Sequence, residues 1–245
     1  MTAEQVLVAL AAFLVAGVAK GAVGMGLPPI AIGLMTLAVP LGDALALVVL
    51  PTITTNLFQA LYGGRFVTLL RRFGTMAAAA IAGVIGVAVI LGQLGAPAMI
   101  GWLGLLLVLY AGLALVAWRP TVPRDAEAWA NPLVGIASGA VAGLTGIAAM
   151  PFLPYMQSLQ IARDELVQGL GIMFIFIMGA LAVALAQQNV LTAVNSLGSA
   201  AAIAPTFLGV WLGQKLRRRF SPEMFRRVFL FGLLAIGLHM STRLL

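Results

Sequence analysis

Cysteine is absent from the 245 residues, so the chain offers no disulfide framework, no thiolate nucleophile and no cysteine-based metal site. Charge is scarce as well. Only 9% of residues are Asp, Glu, Lys or Arg, against about a quarter in an ordinary soluble domain, and a water-soluble fold is excluded on that ground. The catalytic signatures are missing too: there is no HExxH, no P-loop and no dinucleotide fingerprint. A serine hydrolase built on Ser138 and the lone histidine, His239, fails on its surroundings. The string Ile136-Ala137-Ser138-Gly139 lacks the flanking glycine of a nucleophile elbow, and no carboxylate stands near to orient an imidazole. The chain reads as a non-enzyme without metal or cofactor.

What is abundant is apolar sequence, 62% of the chain. It falls into stretches at about 3–23, 25–40, 43–63, 74–92, 97–118, 132–148, 150–160, 166–186, 190–213 and 223–243. Several reach the ~20 residues a helix needs to cross hydrocarbon, whereas 25–40, 132–148 and 150–160 are short. The first stretch carries Glu4 where a secretion signal is basic, so it is read as part of the mature protein. Proline and charge cluster in residues 119–131, which read as a surface linker between a first membrane repeat, 1–118, and a second, 132–245.

A shift of 122 residues pairs Gly17 with Gly139, Gly21 with Gly143, Gly24 with Gly146, Pro29 with Pro151 and Asp43 with Glu165. Further on, a shift of 121 lays Leu91-Gly92-Gln93 on Leu212-Gly213-Gln214. An ordered series of this kind predicts an internal repeat. Charge then predicts its orientation. All 14 basic residues except Lys20 and Arg243 lie in four places: Arg65, Arg71 and Arg72; Arg119 and Arg124; Arg163; and Lys215, Arg217, Arg218, Arg219, Arg226 and Arg227. Equivalent loops of the two halves carry opposite charge, since the basic loop after Gly64 matches the uncharged 187–195 and the uncharged 93–97 matches the arginine-rich 215–227. Cytoplasmic loops accumulate Lys and Arg, so the halves are expected upside down relative to each other with the basic loops cytoplasmic. The expected fold is an all-α polytopic membrane protein of two inverted-topology repeats, each a re-entrant or broken helical hairpin followed by three transmembrane helices. The competing arrangement gives each leading piece one crossing plus a surface segment, for eight spans in parallel repeats.

The chemistry is expected at the glycine- and proline-rich breaks, GVAKGAVGMGLPPI and GAVAGLTGIAAMPFLP. Glycine lets the backbone turn and approach a ligand, and a helix started there presents unpaired N–H groups and the positive end of its dipole to an anion. The candidates are Gly24, Met25, Gly26 and Pro29 in the first half, and Gly143, Thr145, Gly146 and Pro151 in the second. Lys20 sits inside the first break as a cation in an apolar segment, either serving an anionic substrate or snorkelling to the interface. Thr52, Thr55, Asn56 and Gln59 share one face of the span after Pro51, and Gln168 is a second-half candidate. Each has a plainer use. Glycines four apart pack helices closely, and hydroxyls and amides bond backbone or glue helices.

The paired glycine-rich breaks, the eight-segment hydropathy and the basic loop before the last span resemble the TauE/SafE family of sulfite exporters, also called TSUP, over essentially the whole chain. The sequence departs from that family's glycine triplet after the break, reading Met25-Gly26-Leu27 and Ile147-Ala148-Ala149. The resemblance implies a secondary transporter or exporter of sulfite, sulfonates or related organosulfonates in the bacterial cytoplasmic membrane. Uptake of another small organic anion, and a non-transporting scaffold or assembly factor, stand as the alternatives. The expected partners are a small anionic substrate and anionic lipid headgroups at the basic loops; nucleic acid is excluded because the net charge of +7 is spread over short loops, and a homo-oligomer is left open. The seven carboxylates all lie at segment ends or in loops, which argues against ion coupling through a buried acid.

Overall fold

Apolar stretches that must bury their backbone bonds in hydrocarbon become helices, and the computed structural model is helical throughout, with no strand among the described residues. It describes residues 2–116, 121–148, 150–217 and 222–242, with backbone alone at Arg163, 222–226 and Phe229. Trp118, Arg119, Ala149, Arg218, Arg219 and Arg243 lie outside the described residues, as do the side chains of Arg163, Glu223 and Arg226. The helices are α1 (Ala3–Val23), α2 (Leu27–Met35), α3 (Leu41–Leu61), α4 (Phe66–Leu91), α5 (Met99–Val116), α6 (Glu127–Thr145), α7 (Phe152–Ser158), α8 (Arg163–Gln187), α9 (Ala193–Ala201), α10 (Ile203–Arg217) and α11 (Pro222–Ser241), with a 3-10 turn at Arg124–Ala126 before α6. Among the described residues, six segments are long and apolar enough to cross a membrane: Ala3–Val23, Leu41–Leu61, Phe66–Leu91, Met99–Val116, Asp164–Gln187 and Ala193–Arg217. The chain is a multi-pass membrane protein.

The first leading piece contains one of those full-length segments, α1, before its glycine break and the short α2. The second has the same order, a 19-residue α6, a break and the seven-residue α7, and α6 begins inside the segment expected as linker. The span expected from residue 74 starts eight residues earlier, because Arg71 and Arg72 are good helix formers and continue α4 toward its start. The last expected span is represented among the described residues by the shorter apolar run Leu230–Ser241.

The helices form two compact units, and each takes elements from both sides of the segment 119–131. One comprises residues 1–51, 95–118 and 190–245. Here Thr2 caps α1 through a capping box with Gln5, whose Nε2 also donates to the Ala38 carbonyl at 3.1 Å and so fixes α1 against the end of the α2 hairpin. Helices α1 and α10 of this unit meet along a close seam. A methyl on Gly17 would overlap the Thr206 carbonyl, one on Gly21 the Val210 carbonyl, and one on Gly209 the Leu14 carbonyl, so the two backbones touch where only hydrogen fits. Helices α5 and α11 meet in the same manner at Gly104 and Gly237.

The other unit comprises residues 52–94 and 119–189. Its seam joins α4 to α6: Gly83 faces the Ile136 carbonyl, Gly139 the Ala80 carbonyl and Gly135 the Met76 carbonyl. At one end of that seam the Arg72 guanidinium donates to both oxygens of Glu127, Nε to Oε2 at 2.8 Å and Nη2 to Oε1 at 2.6 Å. Asn131 donates from Nδ2 to the Arg72 carbonyl, and its Oδ1 accepts from the Tyr155 hydroxyl at 2.7 Å, which ties α7 into the pair. Glu127 is thus a buried acid, although it stands at the start of α6 as its sequence position implies. Along α8, Gly171 lets α3 approach at the Asn56 carbonyl and the Ala60 N–H.

The seams make a direct prediction. Gly209→Val must push α1 and α10 apart and is expected to cost about 1–3 kcal/mol of overpacking, read as a lowered thermal midpoint in detergent. Gly86→Ala, in α4 where an added methyl meets open space, is expected to be neutral or slightly stabilising in the same measurement.

Candidate anion site

In the first unit the break between α1 and α2 is made by two left-handed glycines. Gly24 has φ 91° and closes α1 by donating its N–H to the Lys20 carbonyl at 2.7 Å; Gly26, at φ 100°, starts α2. An L side chain rarely adopts either conformation. Met25 between them is held by α5, whose Tyr110 hydroxyl approaches its Sδ at 3.9 Å. Lys20 lies one turn before the break with 6% of its surface exposed, so its ammonium is kept inside the protein. Lys20 at the end of α1, Gly24, Met25 and Gly26 in the break, and Pro29 at the start of α2 thus follow one another along ten residues of chain. The helix start differs from expectation in a way that matters chemically. Alpha-2 begins at Leu27, so Pro28 and Pro29 fill its next two positions and supply no N–H. The N–H donors left at this tip are few.

In the second unit Gly146, at φ 73°, closes α6 with an N–H to the Ala142 carbonyl at 2.7 Å. The Thr145 hydroxyl donates to the Val141 carbonyl at 2.7 Å and accepts from the Ile147 N–H at 3.2 Å, so it organises the turn from inside. Pro151 precedes α7, and Phe152 of that helix stands edge-on to Phe174 of α8 with ring centroids 5.1 Å apart. Gly143 is placed in the α4 seam, facing Val84 and Val87.

On the second stretch of α3, Thr52, Thr55 and Asn56 are buried and share one turn, while Gln59 is half-buried on the next. The Thr52 carbonyl accepts from the Asn56 Nδ2 at 2.7 Å and the Thr55 hydroxyl at 3.2 Å. The Thr52 hydroxyl is fully buried with no hydrogen-bond partner in the protein, which leaves it available to a polar ligand. Gln168 is committed elsewhere. Its Nε2 donates to the Ala60 carbonyl at 2.8 Å and its Oε1 accepts from the Arg65 N–H at 3.2 Å, and with the neighbouring ion pair from Arg65 to Glu165 it clamps the α3–α4 turn.

Sequence reasoning missed Tyr110 beside Met25, Gly171 under α3, and Ser199. Ser199 answers a question that Pro51 itself poses, namely which donor takes up the carbonyl that a proline frees in mid-helix.

The profile described as "Sulfite exporter TauE/SafE" matches residues 9–240, nearly the whole chain. The chain belongs to the TauE/SafE sulfite exporter family. No curated protein and no solved structure gives a significant match. Membership makes it a membrane transporter, and TauE/SafE proteins are carriers rather than enzymes.

The Thr145 hydroxyl gives a test of how the second break is held in this family member. Thr145→Val keeps the shape but leaves the buried Ile147 N–H without its acceptor, and a loss of about 1–3 kcal/mol is expected in thermal unfolding. Thr145→Ser is expected to retain most of it.

Proposed function

We propose that the protein exports a small sulfur-containing anion, sulfite or an organosulfonate, across the bacterial cytoplasmic membrane by alternating access between two inverted repeats. The observation that carries this reading is the buried Lys20 beside the left-handed Gly24 and Gly26. Lys20 sets a buried basic residue beside the backbone turns of this break, and that chemistry suits a substrate of one or two negative charges. The family description names the same class of anion. The residues proposed to bind the anion are Lys20, Gly24, Met25, Gly26 and Pro29 in the first unit and, in the second unit taken by itself, Thr145, Gly146 and Pro151 and the α3 face of Thr52, Thr55, Asn56 and Gln59. Gly143 and Gln168 enter this site by supporting the elements around it.

The repeat underlying this mechanism is supported by matching contacts within the two units. Gly209 meets Leu14, Gly17 and Val18; Gly83 meets Ile136, Gly139 and Ala140, each 122 residues further along. Gly24 and Gly146 close their helices in the same conformation at the same shift. In the later span these contacts favour a shift of 126 over the 121 suggested by Leu91-Gly92-Gln93, since Thr206 and Val210 take the parts of Ala80 and Val84. One extra helical turn at the end of α8 accounts for the difference. In this reading the repeats are residues 1–118 and 132–245, the basic loops are cytoplasmic, and those loops hold anionic headgroups.

An inside-negative potential drives an anion outward by about 2.3 kcal/mol per charge per 100 mV, so export needs no coupling ion. In proteoliposomes lacking both proton and sodium gradients, sulfite efflux is expected to persist; complete dependence on either gradient sinks the uncoupled mechanism. Lys20→Ala is expected to weaken sulfite binding roughly tenfold to a hundredfold and to abolish measurable flux, with Lys20→Arg partly active. Binding read by thermal shift that is unchanged in Lys20→Ala removes the lysine from the site.

A further inference from the structure

Helix α3 contains Pro51 in its interior, and the boundary between the two compact units falls between Pro51 and Thr52. The chain also crosses between units at 94/95 and 189/190, both in connecting segments, and at 118/119, outside the described residues. Among the described residues, α3 is thus the helix that passes from one unit to the other without a loop.

Pro51 has no N–H to give to the Leu47 carbonyl four residues back, and its ring disturbs the turn before it. The Ser199 hydroxyl of α9 fills the gap. It donates to the Leu47 carbonyl at 2.8 Å and accepts from the Leu50 N–H at 3.1 Å, with the serine itself fully buried. Gly198 next to it lets α9 approach, because a methyl there would press on Leu47. One small side chain from a neighbouring helix thus bridges the turn and supplies the Leu47 carbonyl with the donor that proline cannot give. Helix α8, the counterpart of α3 in the other half of the chain under the proposed repeat, contains no proline.

We propose that Pro51 is a hinge in α3 and that the Ser199 hydroxyl is its releasable strap, so that Leu41–Pro51 and Thr52–Leu61 change their angle when the strap lets go. The face bearing Thr52, Thr55 and Asn56 starts immediately after the hinge, so flexing there re-aims those groups. The hinge is a property of the helix; only its consequence for flux rests on the transport reading above.

The test uses the full chain in lipid nanodiscs. Hydrogen–deuterium exchange is followed in peptides spanning 44–56 of α3 and 166–178 of α8. The wild-type α3 peptide is expected to exchange faster than its α8 counterpart. Pro51→Ala, which restores the missing N–H, is expected to slow it roughly tenfold, and Ser199→Ala to speed it by a similar factor, with Ser199→Thr near wild type. Equal exchange of the two wild-type stretches, together with no response to either alanine variant, overturns the hinge. Should Pro51→Ala fail to fold, Ser199→Ala decides alone. In proteoliposomes Pro51→Ala is expected to lower sulfite flux about tenfold while leaving the sulfite binding midpoint in place. Slowed exchange with unchanged flux overturns the hinge as a device of transport. Wild-type protein that carries no sulfite refutes the transport reading, and the exchange results then uphold or overturn the hinge by themselves.

Discussion

Hydrocarbon provides no hydrogen-bond partner, and a backbone group left bare in it costs several kcal/mol. That constraint organises this protein. Among the described residues, interruptions of the helices draw their partners from within the chain: Gly24 and Gly146 return their N–H groups to the preceding turn, Thr145 takes up the Ile147 N–H, and Ser199 donates to the Leu47 carbonyl that Pro51 frees while accepting from the Leu50 N–H. Helix ends are treated alike. Gln168 serves the Ala60 carbonyl and the Arg65 N–H at one turn, and Gln188 serves the Leu94 N–H and the Ala88 carbonyl at another. The polar side chains of an apolar protein are spent largely on its own backbone, which makes the fully buried Thr52 and Ser138 hydroxyls, without a hydrogen-bond partner in the protein, informative by contrast.

Cohesion has a second source. Lipid tails are as apolar as leucine, so burying leucine against leucine gains little in a membrane, and close van der Waals contact must supply the association. Glycine supplies it in three seams, between α1 and α10, between α4 and α6, and between α5 and α11. The Arg72–Glu127 pair adds a charged lock at the end of one of them, with Asn131 and Tyr155 satisfying what the pair leaves over.

Much of this could be read in the residues. Apolar runs of about twenty announced membrane helices, and the glycine pairs announced both the breaks and the seams. The locations of the breaks followed from Gly24 and Gly146 alone. Other features depended on distant partners and left no local trace: Gln168 looks like a free polar side chain until the α3–α4 turn is folded against it, and Ser199 looks idle until Leu47 is beside it. Proline at the break marks a helix start without saying which position of the first turn it takes, and α2 begins at Leu27. The sequence leaves the first hairpin re-entrant or broken, and α1 by its own length and apolarity suffices to span hydrocarbon. The repeat rests in the sequence on the series from Gly17 and Gly139 to Asp43 and Glu165, with Leu91-Gly92-Gln93 laid on Leu212-Gly213-Gln214 at its far end, where the seam contacts instead give Gly83 and Gly209 like neighbours.

The seam between α1 and α10 has a bearing on biosynthesis. Gly17 leaves the ribosome nearly two hundred residues ahead of Gly209, the residue it must touch. At about 5–20 residues per second, the first helix waits on the order of ten to forty seconds for its mate. During that interval the bilayer or the insertion machinery must shelter Lys20, and the amino-terminal helix completes its packing only when the last third of the chain arrives.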